Sequence, residues 1–417
     1  MKIIHITAYE IIASGGYPTV EAVVALDTGH LGKASVPYGA SAGTHEAAVL
    51  TDGDVHRYQG KGVLKAVANV KEIIAPALVG KSPEDQSEVD GIMLALDGTE
   101  NKTNLGGNAI LAVSLAAAKA ASAAKKQQLF QHLRQTFNIT TPWRLPNPMM
   151  VVIEGGKHAH NTTDMQEYCM SAIGPDSRAE NIRQVLESYH QLKQVLQDNK
   201  LSTNVGNEGA FAPENISSNE APFAYILQAI EKAGYQPGKD ISISLDPAAS
   251  EFYQDGKYHL KLENRVLTAA QLQKYYESWL NQYPIATLED MFAEDDWQAW
   301  IDFLPVAQQH HVPHIGDDLT VTDVKRLDEA IQRKAVSGIL IKLNQIGTLT
   351  ETVAACKLAK EHNLTIVPSH RGGGETNDTS MVDLAVAVGA DYIKVGPTRG
   401  ERVSKYNRLM EIEREIA

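Results

Sequence analysis

The sequence predicts an α/β protein in which a small N-terminal α+β domain, residues 1–138, precedes a TIM-like (β/α)8 barrel, residues 139–417. Three observations predict it. Period-2 strands followed by Ala-rich helical patterns fill the first third. A proline cluster then breaks the chain. Beyond it, short apolar runs alternate with helical stretches, and each run carries a polar residue at or near its C-terminal end.

The first third opens with "KIIHITAYEII", "TVEAVVALD" and "LGKASVP", separated by turn signals, and reads as a short antiparallel sheet. Helical patterns follow at "VLKAVANVKEIIAPAL" and "LGGNAILAVSLAAAKAASAAKKQQLFQHL". The segment "TTPWRLPNPMM" holds Pro142, Pro146 and Pro148, which no helix or central strand tolerates. The later runs are "ISISLD" ending at Asp246, "IATLED" reaching Glu289, "VPHIGDD" reaching Asp317, "GILIKLN" containing Lys342, "LTIVPSH" ending at His370 and "DYIKVG" containing Lys394. Successive polar residues are 43, 28, 25, 28 and 24 positions apart, about one βα unit each. Patterns such as "VTDVKRLDEAIQRKA" and "TLTETVAACKLAKEHN" supply the helices. A doubly wound sheet gathers its ligand at one switch point, whereas polar residues at the ends of six strands in register call for a barrel.

Composition narrows the partners. With 51 acidic against 38 basic residues, a net charge of −13 and no Lys/Arg-rich block, neither nucleic acid nor an electrostatic membrane anchor is expected. The two cysteines, Cys169 and Cys356, lack zinc-ligand or CxxC spacing, which fits a reducing compartment. The opening segment is interrupted by His5, Tyr9 and Glu10, unlike a signal peptide, and no later run is expected to reach membrane-span length. A cytoplasmic protein is the expectation.

Asp246, Glu289 and Asp317 come from three successive strands and would converge on one barrel rim. Three carboxylates at close range repel unless a cation neutralises them, and an oxygen-only set points to Mg²⁺ rather than zinc. Lys342 and Lys394, with His370 and Arg371 between them, face that trio, as befits an anionic substrate. A lysine among such cations is expected to have its pKa lowered enough to act as a base. Upstream, Glu208 in "NVGNEGAFAPE" and Gln166 and Glu167 in "DMQEYCM" read on composition alone as solvated loop residues. "VPYGASAGTHEA" around Ser41 suits a lid. "GGKHAHN" pairs His158 with His160, a spacing that is more often incidental than metal-binding. "SHRGGGET" follows its strand with three glycines, either an anion cradle of bare N–H groups or a plain connector.

These segments, with "YPTVEA", "LPNPMM", "LDPAASEFY", "YPIATLEDMFAEDDW", "GDDLTVT", "ILIKLNQIGTLTET", "GETNDT" and "ERVSKYNRLMEIE", resemble the enolase family from end to end. The resemblance implies the enolase fold and a Mg²⁺-dependent hydro-lyase, the phosphopyruvate hydratase of glycolysis, with two Mg²⁺ per active site. It implies metal ligands at Asp246, Glu289, Asp317 and the lid residue Ser41, a base at Lys342, and a general acid at Glu208 assisted by Glu167. His158, Gln166, Ser369, His370, Arg371, Gly372 and Lys394 fall on catalytic or substrate-contact positions. It further implies a homodimer or an assembly of dimers, a cytoplasmic location, and a secondary cell-surface presence.

The chain departs from the family pattern around the site. "DSRGNPTVE" becomes "ASGGYPTVE", placing Ala13, Gly15 and Tyr17; "PSGAST" becomes "PYGASA", placing Tyr38 and Ala42. "GDEGGFAP" becomes "GNEGAFAP", with Asn207 and Ala210, and "NGGSHADN" becomes "EGGKHAHN", with Glu154, Lys157 and His160. "GAPARSER" is shortened to "GPTRGER". "SHRSGET" becomes "SHRGGGET", one residue longer and without the serine that helps Arg371 hold a phosphate. Whether Gly372, Gly373 and Gly374 offer backbone N–H groups in its place is left open by the sequence. The competing expectations are an enolase-like lyase for a related phosphorus-containing or carboxylate substrate, a non-catalytic paralogue kept for binding, and, last, an HxH metallohydrolase.

Overall fold

A computed structural model describes residues 1–39, 45–174 and 177–416. Strands β1 (Ile3–Ile12), β2 (Pro18–Leu26) and β3 (Leu31–Ser35) form the expected antiparallel sheet, in the order β1-β2-β3. Alternation along β2 buries Val20, Ala22, Val24 and Leu26 on one face. The first helical pattern spans Leu64–Leu78 through a wider π turn at Val70–Ile74. The second divides into Gly107–Ala124 and Leu129–Thr136, because Lys125–Gln128 leave the helix. A helix at Gln86–Asp97, capped by the Asp85 side chain on the Glu88 N–H, was not anticipated.

The helix Gly107–Ala124 corrects the expectation about membrane spans: it is long and apolar enough to cross one, and 83% of it is buried in the fold. Its small residues pack against β2 and β3.

The barrel comprises β5 (Asn147–Glu154), β6 (Glu167–Ala172), β7 (Ile241–Asp246), β11 (Ile285–Glu289), β12 (His314–Gly316), β13 (Gly338–Ile341), β14 (Thr365–Pro368) and β16 (Tyr392–Val395). Before β5 come β4 (Tyr38–Gly39), and between β7 and β11 a small meander, β8 (Tyr253–Gln254), β9 (Lys257–Leu260) and β10 (Arg265–Leu267). The barrel order is β14-β13-β12-β11-β7-β6-β5-β16. Closure between β14 and β16 comes from Asp391 N–H to the Ile366 carbonyl (3.0 Å) and His370 N–H to the Lys394 carbonyl (3.0 Å).

Strand β6 runs antiparallel to both β5 and β7, so the barrel begins ββαα before its βα units set in. The physical reason is the connection. Residues 155–166 link β5 to β6 without a helix, and a strand that turns straight back can only pair antiparallel. The first residue of β6 therefore arrives at the same rim as the last residues of its neighbours: Glu167 lies opposite Glu154 of β5 and Asp246 of β7. Inside the barrel, Met149, Val151, Cys169, Ala210, Ile315, Leu340 and Val367 pack as one apolar plug beneath that rim.

Candidate active site

Glu46, His158, Gln166, Glu167, Glu208, Asp246, Asp317, Lys342, Ser369, His370, Arg371, Gly372 and Lys394 line one cleft at the C-terminal rim. Glu289 lies just beneath it, 2% exposed. Ser41 falls outside the described residues.

Two lysines organise the carboxylates. Lys394 of β16 donates to Glu289 (2.6 Å), Glu167 (2.7 Å) and Asp246 (3.0 Å). Lys342, immediately after β13, donates to Asp317, whose other oxygen accepts from Gln345 (2.8 Å). Asp246 and Glu289 are thus gathered around one ammonium and Asp317 around another. Neither lysine is a depressed-pKa amine, which corrects that expectation. Burial opposes the charge on Lys342, but Asp317 outweighs it together with the repulsion from Arg371, and the proton is held above the ordinary range. Lys394 is likewise raised against burial, by Asp246, Glu167 and Glu289.

A second cluster of titratable groups gathers around His158 and Glu208. The ring of His158 lies 3.4 Å from Glu167 and 3.6 Å from Glu208, and His370 lies 3.3 Å from the other Glu208 oxygen. Burial, then the charge of Glu208, raises Glu167 well above the carboxylate range. Glu208 is held well below it: burial opposes ionisation, but His370 and His158 prevail. Two neighbouring carboxyls are thereby driven to opposite protonation states, Glu167 carrying the proton and Glu208 the charge.

The remaining expected contacts separate. Arg371 forms a buried fork with Glu46 at 3.1 Å, and its backbone N–H donates to Glu375 (3.0 Å). The amide oxygen of Gln166, which lines the cleft, is buried without a hydrogen-bond partner among the described residues. Ser369 lines the cleft, but its hydroxyl donates to the His370 carbonyl (2.9 Å), so only its lone pairs remain for a ligand. Of the triple glycine, only Gly372 faces the cleft. Gly373 and Gly374 form β15 and pair with Gly39 and Tyr38 of β4, which corrects the picture of a three-glycine cradle. His160 is exposed and joins no cluster with His158.

Sequence reasoning missed four groups here. Glu46 on Arg371, Glu154 behind Glu208, and Asp290 and Asp318 beside Asp317 were unassigned. Asp290 accepts from the N–H groups of Asp317 (2.9 Å) and Asp318 (2.8 Å), holding that turn in place. Ligand atoms of Asp290, Asp317 and Asp318 lie within 4.8 Å of one another. Burial and then Asp317 push Asp318 up to about 8. The signal was present, since "LED" and "GDD" each double the carboxylate at a strand end.

The all-oxygen donor set, together with a Glu289 oxygen that is buried without a hydrogen-bond partner among the described residues, fits a hard divalent cation. A family model described as "Enolase, N-terminal domain" matches residues 3–133, and one described as "Enolase, C-terminal TIM barrel domain" matches residues 142–417. Both fall in the order of the fold and span nearly the whole chain, so this protein belongs to the enolase family, a lyase-type family of metal-dependent enzymes.

Proposed function

We propose that this protein is a phosphopyruvate hydratase, interconverting 2-phosphoglycerate and phosphoenolpyruvate with Mg²⁺. The observation that carries the reading is one cleft lined by Lys342, Arg371, Glu208, Glu167, Asp246 and Asp317, with Glu289 just beneath it. Asp246, Glu289 and Asp317 would hold the cation, which when bound offsets the negative charge that develops on a carboxylate losing its α proton.

Lys342 removes the C2 proton, and Glu208 delivers a proton to the departing C3 hydroxyl. Asp317, which would hold the cation, is also the partner that retains the Lys342 proton, whereas Arg371 and Lys394 favour the neutral amine. Glu167 is the proton reserve for Glu208, the two carboxyls facing the same His158 nitrogen, Nδ1, at 3.4 and 3.6 Å. The resting charges, Lys342 protonated and Glu208 ionised, suit the water-adding direction: Glu208 takes a proton from water as its hydroxyl adds to C3, and Lys342 protonates C2. Arg371 and Gln166 orient the anionic substrate, and the buried cleft keeps bulk water from the carbanion.

A second reading, a lyase for a related phosphorus-containing or carboxylate substrate, is favoured by Gly372. Its ideal Cβ would lie 2.5 Å from a Glu208 oxygen, leaving no space there for a hydroxyl-bearing side chain to assist Arg371. Phosphoenolpyruvate formation from 2-phosphoglycerate and Mg²⁺ decides between them. A kcat/KM in the range of ~10⁴ M⁻¹s⁻¹ or above supports the hydratase; absent turnover with retained metal binding overturns it.

A further inference from the structure

Glu154, the last residue of β5, is fully buried and has no part in the mechanism above. One of its oxygens accepts from the backbone N–H groups of Glu208 (3.2 Å) and Ala210 (3.0 Å); the other lies 3.1 Å from the Glu208 nitrogen. The loop bearing Glu208 is fastened to the same strand by Phe211 N–H to the Val152 carbonyl (3.0 Å) and Glu154 N–H to the Phe211 carbonyl (2.9 Å). Gly206 closes over the carboxyl, where a Cβ would stand 2.4 Å from its carbon. The turn is built around this group.

We propose that Glu154 is a positioning residue: its carboxyl anchors the Glu208 backbone, and its charge state governs how readily Glu208 takes up a proton. The proposal rests on the reading of Glu208 as the proton-transfer group at C3.

The charged and titratable groups facing Glu154 are Glu208 on the loop, Arg402 on the helix Gly400–Ile416, the Tyr189 phenol on the helix Arg178–Asp198, and Glu167 across the strand pair. Burial, then Glu208, pushes Glu154 up to about 8, while the two amides and Arg402 pull the other way. Below that pH Glu154 is neutral and Glu208 alone carries charge. Above it, Glu154 adds a second buried negative charge, and Glu208 binds its proton more tightly. Opposite Glu208, then, lies a group that titrates within the working range of an enzyme.

Glu154→Gln keeps the size and an accepting oxygen but removes the titration. In this variant the kcat–pH profile loses a step near pH 8 that the parent shows, and the KM for 2-phosphoglycerate moves by less than about twofold. Glu154→Ala leaves two buried N–H groups without an acceptor and lowers kcat roughly tenfold or more, much of which Glu154→Gln restores at pH 7. Infrared titration gives a readout that needs no turnover: Asp318, also pushed up to about 8, contributes equally to both proteins, so the parent-minus-Glu154→Gln difference spectrum retains one protonated-carboxyl band that is lost near pH 8. If the protein shows that band but no hydratase activity, the functional reading falls and the coupling stands. Superimposable pH profiles of parent and Glu154→Gln, or a difference spectrum with no carboxyl band lost near pH 8, overturn the proposal, and both are read without Glu154→Ala.

Discussion

Gly372 separates space from backbone conformation in one substitution. Its φ is outside the left-handed region, so alanine meets no backbone penalty there and would by itself slightly stiffen the unfolded chain. Its Cβ, however, would lie 2.5 Å from a Glu208 oxygen and 2.8 and 2.9 Å from two atoms of the His158 ring. Ordinary contact is about 3.5 Å, so Glu208 or His158 must retreat by roughly 1 Å. Glu208 has nowhere easy to go, being 1% exposed, held by Glu154 on its backbone and by His370 on its carboxyl. A misplacement of ~1 Å at a reacting group costs on the order of 10²-fold in rate, and overpacking of this kind ~1–3 kcal/mol in stability. Gly372→Ala and Gly372→Ser are therefore expected to lower kcat about a hundredfold, followed by the ultraviolet absorbance of phosphoenolpyruvate, with a drop of a few degrees in Tm. Parental kcat/KM in either variant would refute the steric argument.

Lys342→Ala removes the proposed base and should cut kcat by roughly 10²–10⁴-fold while calorimetry still detects Mg²⁺ binding; ordinary turnover would sink the assignment. Gly15→Ala would put a Cβ 2.2 Å from the Gly373 carbonyl oxygen and 2.7 Å from the Tyr38 hydroxyl, so a loss of ~1–3 kcal/mol is expected, and an unchanged thermal melt would contradict it. His314, buried and stacked on Trp300 at 4.4 Å, is pushed down to about 3 by burial. Its folded pKa lies below the unfolded value near 6.5, so the unfolded chain binds the extra proton and stability falls as pH drops from about 6.5 toward 3, by up to ~4 kcal/mol. His314→Phe keeps the stacking and should shift acid unfolding to lower pH; an identical acid midpoint would argue against the linkage.

The chain's periodicities were enough to read the three-stranded N-terminal sheet and six barrel strands, because each strand buries its apolar run and leaves a polar residue at one end; the proline cluster misled in part, since Pro148, expected to bar a central strand, is the second residue of β5 and lies opposite Ile393 of β16. The strand-end residues Asp246, Glu289, Asp317, Lys342, His370 and Lys394 could be read for the same reason. Local patterns could not reveal that β6 runs backwards, since reversal follows from a helix-free connection rather than from the strand itself. That reversal brings Glu167 from a loop-like sequence to the rim between Glu154 and Asp246. Likewise "SHRGGGET" was legible as a strand-end glycine turn, but its division of labour was not. Gly373 and Gly374 pair with Tyr38 and Gly39, more than 300 residues away in sequence, while Gly372 presses on Glu208 and His158. Charge states belong to the same category. Sequence alone determined that Asp246, Glu289, Asp317, Lys342, His370 and Lys394 stand at strand ends; only burial and neighbours decided that Lys342 keeps its proton, Glu208 loses one and Glu154 holds one, because a pKa responds to the field and solvent of the folded site, which no local stretch of chain encodes.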